Sequence, residues 1–141
     1  MDKKIDEKTL ELLNGPNFAS IATLMKDGSP QVTPVWIDVD QFNNYILVNT
    51  AKGRVKERNI DRDNRVAMSI FDSQNPYNFV SIRGKVIEKT TNKADHHIDS
   101  LTQKYLGIKK YPYRKSDEQR IILKIEPTNI FHFNIPLPAK E

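Results

Sequence analysis

The segment 45–71 constrains the fold of this chain more than any other part of the sequence. It begins with an apolar run of strand length, residues 45–48, and ends with a second apolar run, residues 65–71. The polar residues between them are typical of a short helix. Thr50 is its predicted N-cap, because a threonine hydroxyl can accept from a backbone N–H two or three residues later. The fold must therefore place a strand, a short charged helix and another strand in succession.

Positive charges gather at the start of this predicted helix. Lys52, Arg54, Lys56 and Arg58 place four cations within seven residues. A helix N-terminus already carries about half a positive charge, so each cation there costs a few tenths of a kcal/mol, up to about 1. A bound anion removes this cost, because the exposed N–H groups and the cations then bind it jointly. The pattern predicts a strand–turn–helix phosphate site.

The spacing of the four cations indicates which of them can face a bound anion. On a helix Lys52 and Lys56 share one face, and Arg54 and Arg58 lie nearly opposite, each with an acidic residue three positions later. We therefore expect Lys56 to be the innermost ligand, with Lys52 or Arg54 at the mouth. Spacing alone leaves an alternative open, a solvated helix with intrahelical ion pairs.

The remaining pattern predicts a mainly β protein. Strands are expected at residues 18–25, 31–39, 77–90 and 119–133, the last interrupted at Pro127, and helices at 8–13 and 92–106. Gly84, in the middle of a long strand, predicts a bulge. Asn92 is the expected N-cap of the second of these helices and Gly107 its stop. With the strands of segment 45–71, six strands joined largely by hairpins predict a small antiparallel barrel.

Composition excludes several classes of protein and site. The 141 residues indicate one domain, 1–141, with 1–7 and 134–141 expected to be mobile tails. Absence of cysteine excludes disulfides, thiolate catalysis and cysteine zinc sites. No run approaches the ~20 apolar residues of a membrane span or contains a signal-peptide core, which favours a cytoplasmic location. The net charge of +4 suits small anionic ligands at least as well as nucleic acid.

The histidines do not predict a catalytic or metal site. His96 and His97 are adjacent in a predicted helix, so they point to different faces, and both are expected at the surface. His132, between two phenylalanines, is expected to be packed or at an interface. We therefore expect no metal ligands and no dedicated catalytic residues.

Ordered short motifs carry a resemblance to a known family. The first group resembles the phosphate-binding region of the pyridoxamine 5′-phosphate oxidase-like superfamily, which has the FMN-binding split-barrel fold. These motifs are Asn49-Thr50, Gly53-Arg54-Val55-Lys56, Asn59-Ile60 and Asp63-Asn64-Arg65-Val66. A second group resembles the branch of deazaflavin (coenzyme F420)-dependent oxidoreductases. These motifs are Pro34-Val35-Trp36, Lys104-Tyr105-Leu106-Gly107, Tyr111-Pro112, Arg120-Ile121 and Ile125-Glu126-Pro127-Thr128.

The resemblance implies a six-stranded split barrel that forms a homodimer, with two cofactor sites in a groove lined by both subunits. It implies that the backbone of the second strand contacts the cofactor ring, at Val32, Thr33, Pro34, Val35 and Trp36. It also implies phosphate contacts from Thr50, Arg54, Val55 and Lys56, to which the charge pattern adds Lys52. The chain departs from the superfamily in three ways. Asn64 replaces a usual proline, Phe79 replaces a glutamine, and the Arg/Trp-rich C-terminal motif is absent. Pyridoxamine phosphate is therefore not the expected substrate.

The function that this resemblance implies is an oxidoreductase with a flavin-type cofactor, F420 being favoured over FMN. Hydride would pass to a small organic acceptor, and the cofactor itself carries that chemistry. One alternative is a non-catalytic FMN, F420 or tetrapyrrole-binding protein. A less favoured alternative is a basic barrel that binds nucleic acid. We expect no membrane partner and no nucleic-acid partner.

Overall fold

The computed structural model describes residues 4–140, which form an antiparallel sheet and three helices. The helices are α1 (Glu7–Asn14), α2 (Val55–Arg62) and α3 (Ala94–Leu106). The strands are β1 (Ala19–Leu24), β2 (Pro30–Val35), β3 (Asp38–Asp40), β4 (Tyr45–Ala51), β5 (Arg65–Asp72), β6 (Asn75–Thr90) and β7 (Arg120–Asn134). The predicted mainly β class is confirmed. None of the helices in this part of the chain is long and apolar enough to cross a membrane.

The strand order forces the sheet to curl. The order is β2-β1-β5-β6-β7-β4-β3, with every neighbouring pair antiparallel. β2 and β3 are thus the two outer edges, yet only Trp36 and Ile37 separate them in the chain. Three residue steps span at most about 11 Å, so the two edges must approach each other. The result is a barrel that is left unclosed between β2 and β4.

The described residues contain seven strands, where the sequence predicted six. The expected strand 31–39 is divided: β2 ends at Val35, and Asp38–Asp40 pairs with β4 at the other edge. Between them the backbone of Ile37 bonds to side chains of α3 instead of a strand. Its N–H donates to the Tyr105 hydroxyl at 3.0 Å, and its carbonyl accepts from Lys104 Nζ at 2.7 Å. We call residues Trp36 and Ile37 the crossover.

Aliphatic side chains fill the interior of the barrel. On β5 alternate residues, Val66, Met68 and Ile70, point inward, and α1 adds Leu12 and Leu13. The most completely buried side chains, each at most 1% exposed, include Leu13, Ile21, Ile37, Ile46, Val48, Ile70, Val80, Ile82, Leu123 and Ile125. This core fixes the positions of the strand ends that carry the candidate site.

The predicted bulge at Gly84 is confirmed. The pairing of β6 with β7 shifts register between Arg83 and Gly84, and a Cβ on Gly84 would lie 2.5 Å from the Glu126 carbonyl oxygen. The predicted interruption at Pro127 is wrong, since β7 continues through it to Asn134. Pro127 pairs with Gly84 at the shifted register, where an irregular ladder tolerates a residue without an N–H.

Two further expectations concern the ends of α3 and the termini of the chain. α3 ends as predicted at Gly107, whose φ of 73° suits glycine, but its N-cap is Lys93 rather than Asn92. Residues 1–3 and 141 of the predicted mobile tails lie outside the described residues. Within those tails the N–H of Ile5 donates to Asn44 Oδ1 at 2.8 Å. The mobility of the tails stays a prediction.

Candidate anion site

A pocket of about 200 Å³ lies where the barrel is unclosed. β3 pairs with residues 45–47 of β4, so on that side the following residues of β4 have no neighbour among the described strands. Continuing the same register places Trp36 level with Asn49, and Val35 level with Thr50. The pocket is lined by Phe18, Pro34, Val35, Trp36, Asn49, Thr50, Arg54, Lys56, Ile98, Leu101, Tyr111, Tyr113 and Arg120.

Lys56 brings a positive charge into this pocket without an acidic partner. It lies in the first turn of α2 and is half-buried. Its Nζ is 3.3 Å from Thr33 Oγ1, and none of the carboxylates in residues 4–140 pairs with it. Burial lowers the pKa of Lys56, and the charges of Arg54 and Arg120 lower it further. The ammonium is therefore held at an electrostatic cost that a bound anion would offset.

Seven residues that line the pocket were not assigned to the site by the sequence analysis, and Arg120 is the charged one among them. It opens β7 opposite Ala51 and is 5% exposed. Its Nε donates to Asn49 Oδ1 at 2.8 Å, its Nη1 donates to Glu118 Oε1 at 2.9 Å, and it lies over the Tyr111 ring at 5.2 Å. The available signals were a single arginine directly before the apolar residues of β7 and its place in the motif Arg120-Ile121.

Arg54 is the N-cap of α2, and it faces the pocket from a more exposed position. Its guanidinium is 3.1 Å from the Glu118 carboxylate, with 47% of the side chain exposed. Burial alone would raise the pKa of Glu118, but the hydrogen bonds and charges of Arg120 and Arg54 lower it. Glu118 is therefore a carboxylate at neutral pH. It offsets one of the three cations at this pocket and leaves an excess of positive charge.

Glu57 and Asp61 do not form the intrahelical ion pairs of the alternative that spacing left open. Glu57 and Asp61 bind Lys89 of β6 instead, at 2.8 Å and 2.7 Å. Glu57 also accepts from the N–H of Gly53 at 2.8 Å, and this bond, followed by that to Lys89, lowers the pKa of Glu57 to about 2. The acids of α2 thus fix the helix to the sheet and leave Lys56 unneutralised.

The predicted role of Thr50 as the N-cap of α2 is wrong. Thr50 lies inside β4, because that strand continues three residues beyond the apolar run 45–48, and it is 1% exposed. Its hydroxyl has no hydrogen-bond partner among the described residues. A buried hydroxyl of this kind costs free energy until a partner is supplied, and it lines the same pocket as Lys56.

The structure brings six of the ten predicted cofactor residues together around this pocket. They are Pro34, Val35, Trp36, Thr50, Arg54 and Lys56. Four others do not line it: Val32 and Lys52 are exposed, Thr33 contacts the Lys56 ammonium, and Val55 begins α2. Cofactor contact by any of the ten stays a prediction.

Residues near the end of α3 hold the crossover against the pocket. The Tyr105 ring stacks on Trp36 with centroids 5.2 Å apart, and its hydroxyl donates to the Asn17 carbonyl at 2.7 Å. Burial raises the pKa of Tyr105 to about 12, so the hydroxyl keeps its proton. Lys104 Nζ binds two backbone carbonyls, and burial lowers its pKa to about 8.

The histidine predictions have mixed outcomes. His96 is exposed as expected, whereas His97 is buried and bonded to Asp38 at 2.9 Å. The surface prediction failed for His97 because its partners come from β3 and β4, far away in sequence. His132 is half-buried and contacts Asn78 Oδ1 at 2.9 Å. In residues 4–140 no group of three or more His, Asp or Glu side chains could hold a metal ion.

Comparison with known proteins places this geometry in a family. The family model of pyridoxamine 5′-phosphate oxidase matches residues 5–134. A solved F420 reductase is 30% identical over 86% of this chain and 94% of its own, with a TM-score of 0.75. A conserved hypothetical protein of Mycobacterium tuberculosis is 20% identical, with 99% and 94% covered and a TM-score of 0.70. General Stress Protein 26 of Bacillus anthracis is 14% identical, with 90% and 92% covered and a TM-score of 0.66.

The last two structures share the fold, and the family model covers nearly the whole described chain. The chain therefore belongs to the pyridoxamine 5′-phosphate oxidase family, a flavin-binding family that includes oxidoreductases.

Proposed function

We propose that this protein is an oxidoreductase that binds the phosphate of a flavin-type cofactor in the pocket between β2 and β4. Hydride then passes between the cofactor and a small organic acceptor. The observation that carries the proposal is the half-buried Lys56 ammonium, which lacks a carboxylate partner among the described residues. Arg54 and Arg120 flank it, and the unpaired Thr50 hydroxyl lines the same pocket.

The donor set fits a phosphate group. Two guanidinium groups, an ammonium and a hydroxyl offer only donors to an anion, and phosphate oxygens accept several such bonds at once. The volume of about 200 Å³ is below the roughly 300–1,000 Å³ of pockets that enclose whole small ligands. The phosphate and the adjoining chain would fill it, and the ring would lie outside.

The outer edge of β2 is the proposed place for the ring. Among the described strands β2 pairs only with β1, so its other edge carries backbone groups without a strand partner in residues 4–140. Pro34 contributes no N–H there, and the Val32 side chain is 59% exposed. The bound cofactor supplies the hydride chemistry, and this chain binds, orients and shields it. Trp36 and Tyr111 supply apolar walls that exclude water.

We favour F420 over FMN as the cofactor. The support is the F420 reductase that is 30% identical over 86% of this chain. The position where the superfamily usually has glutamine holds Phe79, which packs against Phe131 and Phe133 with ring centroids 6.3 and 5.3 Å away. An apolar side chain in that position does not favour pyridoxamine phosphate as the acceptor.

We also propose that the working form is a homodimer. Phe71, Phe79 and Phe133 lie in register on the neighbouring strands β5, β6 and β7, with Phe131 beside them. Phe71 is 51% and Phe131 58% exposed. A contiguous apolar patch of this kind marks an interface in soluble proteins. A mass of two chains in sedimentation equilibrium, reduced to one by Phe131→Asp, is the expected result.

Titration with each cofactor tests the function. Trp36 is the only tryptophan and lines the pocket, so quenching of its fluorescence reports binding. We expect saturable quenching by F420, weaker quenching by FMN, and oxidation of the reduced cofactor by quinone-like or activated C=C acceptors. Binding without turnover for any acceptor would favour a non-catalytic binding protein. The absence of binding by both cofactors would refute the proposal.

A further inference from the structure

Arg120 is joined to α3 and β3 through a chain of buried and half-buried side chains. Asn49 Oδ1 accepts from Arg120 Nε at 2.8 Å. Asn49 Nδ2 donates to the Ala94 carbonyl at 2.9 Å and lies 3.1 Å from His97 Nδ1. His97 Nε2 is 2.9 Å from Asp38 Oδ2. Side chains of β3, α3, β4 and β7 therefore meet in one network, which ends at the pocket.

The network fixes the hydrogen positions on each member. Arginine Nε can only donate and a backbone carbonyl can only accept, so the Asn49 amide has one possible orientation. Its Nδ2 then presents a hydrogen toward His97 Nδ1, which must be unprotonated. His97 therefore carries its hydrogen on Nε2 and donates it to Asp38. Burial alone would raise the pKa of Asp38, but the hydrogen bond from His97 lowers it, as an accepting carboxylate requires.

The network restrains Arg120 far more than its neighbour Arg54. The Nε and Nη1 atoms of Arg120 are bonded to Asn49 and Glu118, and the Tyr111 ring covers one face. Its Nη2 has no hydrogen-bond partner within residues 4–140. Within the described residues the Arg54 guanidinium has a single partner, Glu118, and 47% of its side chain is exposed. A held guanidinium with free donors loses less side-chain entropy when it binds an anion than a mobile one does.

We propose that Asn49, oriented by the His97–Asp38 pair, is a positioning residue that holds the Arg120 guanidinium ready for the anionic group of the ligand. His97 takes no proton from the substrate. His97 acts only by fixing the orientation of the Asn49 amide, which in turn holds the Arg120 guanidinium in place. This inference rests on the proposed function in one respect, that the ligand of the pocket carries a phosphate.

Paired ligands with and without the phosphate test this role. Dissociation constants are measured for FMN and riboflavin, and for F420 and its phosphate-free deazaflavin core. Replacement of His97 by phenylalanine keeps the bulk and removes both nitrogens. We expect His97→Phe to weaken binding of the phosphate-bearing ligands at least fivefold and to change binding of the phosphate-free ligands less than twofold. His97→Gln should restore the wild-type preference, because its amide can accept from Asn49 and donate to Asp38.

His96→Phe is the matched control, since His96 is the exposed neighbour on the same helix. Equal loss of both members of a ligand pair would show a merely structural role and overturn the proposal. If His97→Phe does not fold, loss of the preference in His97→Gln would overturn it equally. A wild-type protein that does not distinguish FMN from riboflavin, or F420 from its core, would refute the proposed function. Nitrogen-15 NMR of His97 then tests the network separately: an Nε2–H tautomer supports it, and an Nδ1–H tautomer contradicts it.

Discussion

Replacement of Lys56 by alanine should affect the free and the ligand-bound protein differently. It should not lower the free energy of unfolding of the free protein, but it should weaken cofactor binding. In the free protein the ammonium is partly buried, has no acidic partner among the described residues and is repelled by Arg54 and Arg120. Its removal takes away an unfavourable charge, so the free energy of unfolding should stay unchanged or rise. With a phosphate-bearing cofactor bound, the same charge becomes an attractive partner that alanine cannot replace.

The magnitude follows from the kind of contact that is lost. A hydrogen bond to a charged group contributes about 1.5–3 kcal/mol, so Lys56→Ala should weaken cofactor binding about 10- to 150-fold. The assay is a Trp36 fluorescence titration at fixed ionic strength, together with thermal unfolding of the free protein. Arg58→Ala is the matched control, because it removes an equal charge from the exposed side of the same helix.

Two results would refute this reasoning. The first is equal affinity in Lys56→Ala and Arg58→Ala, which would remove Lys56 from the site. The second is a lower melting temperature of free Lys56→Ala than of Arg58→Ala. That result would show that the lysine stabilises the fold and is not held in readiness for a ligand.

Three further substitutions test the scaffold. Gly84→Ala should destabilise the protein by about 1–3 kcal/mol in urea unfolding, because its Cβ would lie 2.5 Å from a backbone oxygen, and an unchanged midpoint would contradict the bulge. Tyr105→Phe should cost about 1–3 kcal/mol, because it orphans the N–H of the crossover, whereas Tyr113→Phe, at an exposed ring, should cost nothing measurable. Glu57 has a pKa of about 2, so the stability it contributes is complete above its ordinary value of 4.5 and is lost as pH falls through about 2. Glu57→Gln should flatten stability over that window, and a slope equal to that of the wild type would contradict this.

The strands and helices could be predicted where their residues decide the matter locally. The alternation of Val66, Met68 and Ile70 marks β5, and the stop at Gly107 needs only a positive φ. The division between β2 and β3 could not be predicted. It depends on hydrogen bonds between Ile37 and side chains 67 and 68 residues later.

The same distinction between local and distant contacts applies to the candidate site. The place of Lys56 at the pocket could be predicted, because the repulsion between cations at a helix start is visible in consecutive residues. Arg120 could not, since its role depends on Asn49, which is 71 residues away, and on a strand end that lies opposite β4. The alternative of intrahelical ion pairs in α2 failed for a related reason. The spacing of residues along a helix cannot indicate a partner such as Lys89, because Lys89 lies on β6 and its ammonium contacts the helix from there.

The crossover has a mechanical consequence for whatever binds beside it. The two residues of the crossover join the opposite edges of one continuous sheet. Covalent geometry therefore sets a maximum width for the gap between these edges beside the crossover. This limit applies next to the crossover, where widening the gap would require breaking the pairing of β3 with β4. We therefore expect a phosphate on a flexible chain to fit this end of the gap more readily than a bulky anion does. Lengthening the crossover by two glycines would remove the limit and admit bulkier anions.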